Sequence, residues 1–488
     1  MRRTRDGVRL VGEHKGERGH RIQNPHRPDV DGVFVEWSWD GASLRLRNDR
    51  YGFYPIFYFA NDAEIAVSDS IDSLLAAGAL RDLDDAGLAA FLRLGHFLGD
   101  DTAFRAIRVL PPGVVLEWSI AGLKIAPSLV IARRCEMSRR AAMDAYIDLF
   151  RAAIARRGAP ARSLVVPLSG GRDSRHIVLE LCRQGMAPDE CVTAPYRPGA
   201  KRKTDVEVAA QLCAALGIRH HVPPARASQK NAEQEKNRRT NYTTLEHGWL
   251  MPVVERLCSK AAVSYDGMAG DVLSAGHFLT RERHEWFERR QFRKLFQDMR
   301  SALAEPSIQQ LLPAETSKRF CLDLALERFE TECLPHLEAP NPVGSFSIFN
   351  RTRRVACLSA YALQPSVRYV FSPFLDNDLF DFLSSLPAEL LVDHNFHTET
   401  IQYAYPEYAR IPFAVTTPGT GYPATYQQYA LEVAAELLFT RTPGLLRKRY
   451  VLPRLARCLI DLNYSTAAKW LGTLSIYLMQ LERLSAPD

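Results

Sequence analysis

A short apolar run that breaks at Ser-Gly-Gly and restarts as a helix constrains this 488-residue chain more than any other feature. The segment reads Leu164-Val165-Val166-Pro167-Leu168-Ser169-Gly170-Gly171-Arg172-Asp173-Ser174-Arg175-His176-Ile177. Its β-branched start predicts a buried strand, and Ser174 to Arg183 predicts a helix. Two glycines at a strand end let backbone N–H groups turn inward and form a concave anion site. The positive N-terminal end of the following helix adds to it. An aspartate beside such a nest repels phosphate unless a divalent cation bridges the two, so Asp173 predicts a pyrophosphate-and-magnesium site. Ser-Gly-Gly also serves as an ordinary turn, and Asp or Ser as an ordinary helix cap. No Gly-Lys-Ser/Thr closes a Walker-type loop here.

Bulk properties narrow the class. The length favours two domains, and 46% apolar residues supply cores of ordinary size. A net charge of +6 is small for this length and argues against a nucleic-acid partner. Acidic residues (Asp6, Glu13, Glu17, Asp29) interrupt the arginine-rich first thirty residues, which argues against a transit peptide. No run approaches the ~20 apolar residues of a membrane span. Nine scattered cysteines without zinc spacing read as reduced thiols, so the expectation is a cytoplasmic protein.

The chain changes its periodicity near residues 130–138. Before it, Val33–Trp39 and Leu44–Arg47 alternate around the turn signal Asp40-Gly41. Ile56–Phe59 and Val114–Trp118 predict further strands, and Asp84–Leu94 a helix. After it, Ala141–Ala155 predicts an amphipathic helix leading to the motif strand. Strands at Cys191–Ala194, Ile218–Val222 and Ala261–Tyr265 then alternate with a helix at Asp205–Leu216. That alternation predicts a parallel, doubly wound sheet with ligands at the carboxyl ends of its strands. Beyond about 280 the pattern is almost wholly helical.

Ser169 to Ser174 resembles the SGGxDS signature of the N-type ATP pyrophosphatases. Further motifs extend the resemblance to the asparagine synthetase B family, with its relatives that close β-lactam rings or lasso-peptide macrolactams. Asp49-Arg50-Tyr51-Gly52-Phe53-Tyr54-Pro55-Ile56-Phe57-Tyr58 is similar to D-R-F-G-x-x-P-L-Y-Y, and Thr102 to Gly113 to T-x-F-x-x-I-x-x-L-P-P-G. Ala269-Gly270-Asp271-Val272-Leu273-Ser274-Ala275-Gly276 partly matches G-G-D-E-L-F-G-G, and Ser372–Asp376 through Pro387 matches P-F-L-D … L-P. These segments stand in family order.

The resemblance implies an α/β and α+β architecture. Residues 1–134 would form a degenerate glutaminase-like domain of the N-terminal nucleophile type. Residues 135–488 would form a parallel-sheet ATP-pyrophosphatase domain with a helical C-terminal part. It implies Asp173 and Asp271 as catalytic, Mg²⁺-holding residues. It also implies Leu168, Ser169, Gly170, Gly171, Asp173, Ser174, Thr193, Gly267 and Gly270 at ATP and pyrophosphate, with Leu168 and Thr193 against the adenosine. Asp173 and Asp271 each follow a strand of one predicted sheet, and parallel strands bring such distant acids to one edge. Asp376 is open between a substrate-acceptor role and a helix end.

Several positions depart from the family pattern. Glutamine-dependent members use a cysteine at position 2, where this chain has Arg2, and its first cysteine is Cys135. Without a thiol, glutamine is not an ammonia source by that chemistry. Val272 replaces a Glu, and Met268 replaces a polar residue and reads as core. No lysine stands in Ile411–Gly419, where relatives steady the α-phosphate, and Lys448, Arg447 or Arg410 are the candidate substitutes.

Other residues invite a role without fixing one. Arg172 reads either as a contact to phosphate or peptide carboxylate or as a locally salt-bridged surface residue. His220-His221 reads as structural. Arg197, Lys201, Arg202 and Lys203 read as a solvated loop or as a lure for ATP or an acidic substrate.

The expected function is an AMP-forming, ATP-dependent carbon–nitrogen ligase that joins a small-molecule or peptide carboxylate to an amine. A macrolactam or lasso-type cyclase, with a precursor peptide or protease as partner, is the first choice. An ammonia-dependent asparagine-synthetase-like enzyme and a silent nucleotide- or partner-binding protein are the alternatives.

Overall fold

The computed structural model describes residues 2–4, 7–9, 11–126, 129–158, 163–194, 204–300, 304–414, 423–440, 444–461 and 463–486. Its first half is an antiparallel sandwich. One sheet has five strands in the order Gly122–Ala126, Val115–Ser119, Leu44–Asn48, Asp31–Trp39, Lys15–Ile22. The other has three, with Phe57–Ala60 between Ile65–Ser68 and Arg108–Val109. Alternating Leu44, Leu46, Leu116 and Trp118 fill the space between the sheets with Ile56 and Ile65. The expected strands and the helix, Asp85–Leu94 capped by Asp84, stand within a residue or two of their predicted ends. Lys15–Ile22 was not legible as a strand: it lies on the sheet edge and buries only alternate residues at its C-terminal end.

The helix Arg139–Arg157 opens the second half, capped by the Ser138 hydroxyl accepting from the Ala141 amide at 3.2 Å. Its face of Tyr146, Phe150, Ala153 and Ile154 is buried. The motif strand Val165–Pro167 pairs in parallel with Glu190–Val192, and that strand with Arg219–His221. On its other side one parallel bridge, Leu164 to Val263, joins the motif strand to Val263–Tyr265. Val263–Tyr265 pairs in parallel with Tyr369–Phe371, a strand inside the stretch expected to be almost wholly helical. Three residues are too few to show a period of two.

The carboxyl ends of these strands share one edge. The chain leaves the motif strand toward Glu190–Val192 and returns on the opposite side as Val263–Tyr265, which opens a crevice between the two. The motif helix Asp173–Arg183 and the short helix Gly270–Ala275 start at that crevice.

The two halves share a continuous hydrophobic core, in which Tyr51 packs on Phe380 with ring centroids 4.1 Å apart. Polar contacts follow the same seam. Arg353, in the wide-turned helix Ile348–Cys357, donates to the carbonyls of Gly52, Gly99 and Leu110 at 3.1, 3.1 and 2.7 Å. Arg50 pairs with Asp381, and the Tyr51 hydroxyl donates to Asn377 at 3.0 Å. No described helix is long and apolar enough to cross a membrane. The described cysteines are unbridged.

Candidate active site

The loop after the motif strand is closed by its own hydrogen bonds. The Gly170 amide already donates to a carboxylate oxygen of Asp205 at 2.9 Å. Ser169 and Ser174 tie the loop to the helix: the Ser169 amide donates to the Ser174 hydroxyl at 3.1 Å, and the Gly171 amide to the Ser169 hydroxyl at 3.1 Å. Ala414 donates from its amide to the Gly170 carbonyl at 2.8 Å, fastening a distant segment against the loop.

Asp173 and Asp271 converge across the crevice. Burial holds the Asp173 carboxyl well above the ordinary carboxylate range, and the charge of Asp271 pushes it further in the same direction. The Asp271 backbone N–H and the charges of His277 and Arg172 offset part of that. Asp266, which sequence reading passed over, adds a third acid: burial pushes it up to about 6, and the Asp173 charge contributes. Its side chain accepts from the Met268 amide at 2.8 Å and shapes the turn that leads to Gly270.

The glycines of this turn serve Asp173. A Cβ at Gly267 would lie 2.7 Å from the Asp173 Cβ, and one at Gly270 would lie 2.8 Å from its carboxyl. Both positions were expected at ATP; the structure uses them to let two loops approach closely. Ala269 between them is held at φ +71°, a left-handed conformation that costs an alanine roughly 1 kcal/mol.

Beneath Asp173 lies a neutral hydrogen-bonded chain. The Ser274 hydroxyl donates to the Gly270 carbonyl at 2.6 Å, so its oxygen accepts from His397 Nδ1–H at 2.9 Å. His397 Nε2 then accepts from His176 Nδ1–H at 3.2 Å. Burial pushes His397 down to about 3 and His176 well below the ordinary range, so both rings are uncharged. The chain ties the motif helix and the Gly270–Ala275 helix to a third, Phe396–Ala404, and thereby sets the spacing of the two acids. His176 stands three residues after Asp173 on the buried face; nothing in the sequence marks His397.

The residues present fit a magnesium ion. Asp173 Oδ1 is buried without a hydrogen-bond donor, and His397 Nδ1 at 3.4 Å already serves Ser274. Two carboxylates are the oxygen donors that such a hard ion takes, with phosphate oxygens and water to complete its shell. No cluster of three or more metal-ligating side chains occurs among the described residues.

Residues 145–399, just over half of the chain, match the asparagine synthase family, and residues 24–127 match a glutamine amidotransferase domain. The chain belongs to the asparagine synthase family. It is accordingly an ATP-dependent, amide-forming carbon–nitrogen ligase, with a glutamine-amidotransferase-like domain preceding the synthase domain. No curated protein matches it.

Of the two roles open to Asp376, the structure shows the helix end. Asp376 is fully buried: it caps the helix Asn377–Ser385 and pairs with Arg157 at 2.9 Å and with Arg156, which leaves it no oxygen for a substrate. Thr193 donates to the Leu168 carbonyl at 2.7 Å and accepts from His220 Nε2 at 2.8 Å. With Leu168 in the core, that pair stitches strand ends together. Met268 and Val272 are buried, so their departures from the asparagine synthase pattern are core packing.

Of the candidate replacement cations, Lys448 donates to the Thr440 carbonyl and Arg410 is exposed. The Arg447 backbone amide donates to the Leu311 carbonyl at 2.7 Å. Arg197, Lys201, Arg202, Lys203 and Val415–Gly419 lie outside the described residues.

Proposed function

We propose that this family member adenylates a substrate carboxylate, releases pyrophosphate, and joins the acyl group to an amine carried by the same substrate, as a macrolactam-forming cyclase. The convergence of Asp173 and Asp271 at a glycine nest, one carboxylate oxygen lacking any donor, carries this reading. Asp173 and Asp271 would hold Mg²⁺, and Ser169, Gly170, Gly171 and Ser174 the pyrophosphate end of ATP. When bound, the ion supplies charge neutralisation to the leaving pyrophosphate.

The residues of this chain supply the remainder. The loop residues orient the triphosphate so that the carboxylate meets the α-phosphorus in line. The buried histidines stay neutral and keep the acids at fixed separation. The amine then attacks the acyl adenylate and AMP leaves.

Independence from glutamine is supported by residues 24–127, which match the amidotransferase domain and contain no cysteine. A peptide carrying both the carboxylate and the amine is the substrate class this implies, processed in the cytoplasm by a partner protease.

Peptides with a free N-terminus and a side-chain carboxylate, incubated with ATP and Mg²⁺, test the reading. Equimolar AMP and pyrophosphate should appear with a product lighter by one water. Turnover only when free ammonia is added would establish the ammonia-dependent alternative, and ATP binding without AMP under every acceptor would establish a silent protein.

A further inference from the structure

Two arginines on the first turn of the motif helix stand without an acid. The described arginines of this protein commonly meet carboxylates, as Arg50 does at Asp381, Arg157 at Asp376 and Arg328 at Asp101. Arg172 and Arg175 meet none within ion-pairing distance among the described residues. Arg175 donates instead to the carbonyls of Ile411 and Pro412, at 2.8 and 2.5 Å, and its guanidinium lies 4.0 Å from the centre of the Phe413 ring. Arg172 lies 5.5 Å from that ring, and its Nε donates to the Thr398 hydroxyl. No acceptor among the described residues takes its two terminal nitrogens.

Stacking two like charges on one ring is unfavourable unless an anion completes the group. The positive helix end beside them points the same way. The surface-residue reading of Arg172, which needs a local salt bridge, has no carboxylate to rest on. Arg175 is fixed by two carbonyls and is mostly buried, whereas Arg172 is held at Nε alone, near enough to Asp173 for its charge to act on that carboxyl.

We propose that Arg172 is a phosphate-binding residue of this chain, its two terminal nitrogens donating to an oxygen pair of the ATP triphosphate, with Thr398 and Phe413 holding its guanidinium in place. A planar fork is suited to paired phosphate oxygens. This gives the variable position of the motif a cationic role and rests on the reading of the loop as the triphosphate site.

Calorimetric titration of ATP, AMP and inorganic pyrophosphate into wild-type, Arg172→Gln and Arg172→Lys proteins tests it. Arg172→Gln should weaken ATP at least tenfold, and Arg172→Lys should recover part of the loss, while the thermal midpoint of the ligand-free protein stays unchanged. A matching loss for AMP assigns the contact to the α-phosphate; a matching loss for pyrophosphate alone assigns it to the β- and γ-phosphates. ATP affinity unchanged in Arg172→Gln overturns the proposal and leaves the loop reading intact. Failure of wild-type protein to bind ATP overturns both.

Discussion

Two adjacent pairs of Asp and Arg, Asp49–Arg50 in the first half and Arg172–Asp173 in the second, behave oppositely. In the first half Asp49 is buried and accepts from the amides of Tyr51, Phe53 and Tyr54 at 3.1, 3.0 and 3.1 Å, while Arg50 reaches Asp381. In the second half Asp173 keeps an oxygen without a donor, and Arg172 keeps its fork open. A polar group fully partnered in the ligand-free protein holds the fold. One left unpartnered at a crevice waits for a ligand, and the protein carries the electrostatic penalty meanwhile.

The largest effect should come from Asp173→Asn. Pyrophosphate release should fall by roughly a thousandfold, the scale of several kcal/mol of lost charge stabilisation. The ligand-free variant should unfold at the same or higher denaturant concentration, because a buried carboxylate repelled by Asp271, one of its oxygens without a donor, has been removed. A variant that loses activity and stability together would erase the contrast.

Asp49→Ala should do the reverse. Three orphaned amides predict a loss of about 3 kcal/mol in chemical denaturation, with ATP affinity in titration unaltered. Weakened ATP binding in a folded Asp49→Ala protein would mean that the first half communicates with the site. Ala269→Gly is the smallest change: relief of the left-handed alanine should stabilise by roughly 1 kcal/mol, raising the thermal midpoint by a few degrees.

The sequence was most readable where chemistry and backbone demand the same residues. The break from β-branched residues to Ser-Gly-Gly and then to a helical period placed the motif strand, loop and helix almost to the residue, because glycines and caps act locally. The convergence of Asp173 with Asp271 was legible through topology. What failed was whatever depends on the partner. That Gly267 and Gly270 stand against Asp173 shows only in space, and Asp376 stays between an acceptor role and a helix end until Arg156 and Arg157 are seen to hold it. His397 is one histidine in a helical stretch, and its meaning comes from Ser274 and His176 meeting it in space. The strand Tyr369–Phe371 owes its existence to a neighbour more than a hundred positions earlier.

The single bridge between Leu164 and Val263 has a mechanical consequence. The strands that carry the two acids are otherwise paired outward, away from each other, so the sheet is two panels on a narrow hinge. On the proposed reading, a nucleotide gripped from both panels acts as a rivet. Deuterium uptake at the Ala262 and Val263 amides, which donate to the Ser163 carbonyl at 3.0 and 3.3 Å, should therefore slow when ATP and magnesium are added together, and far less with either alone.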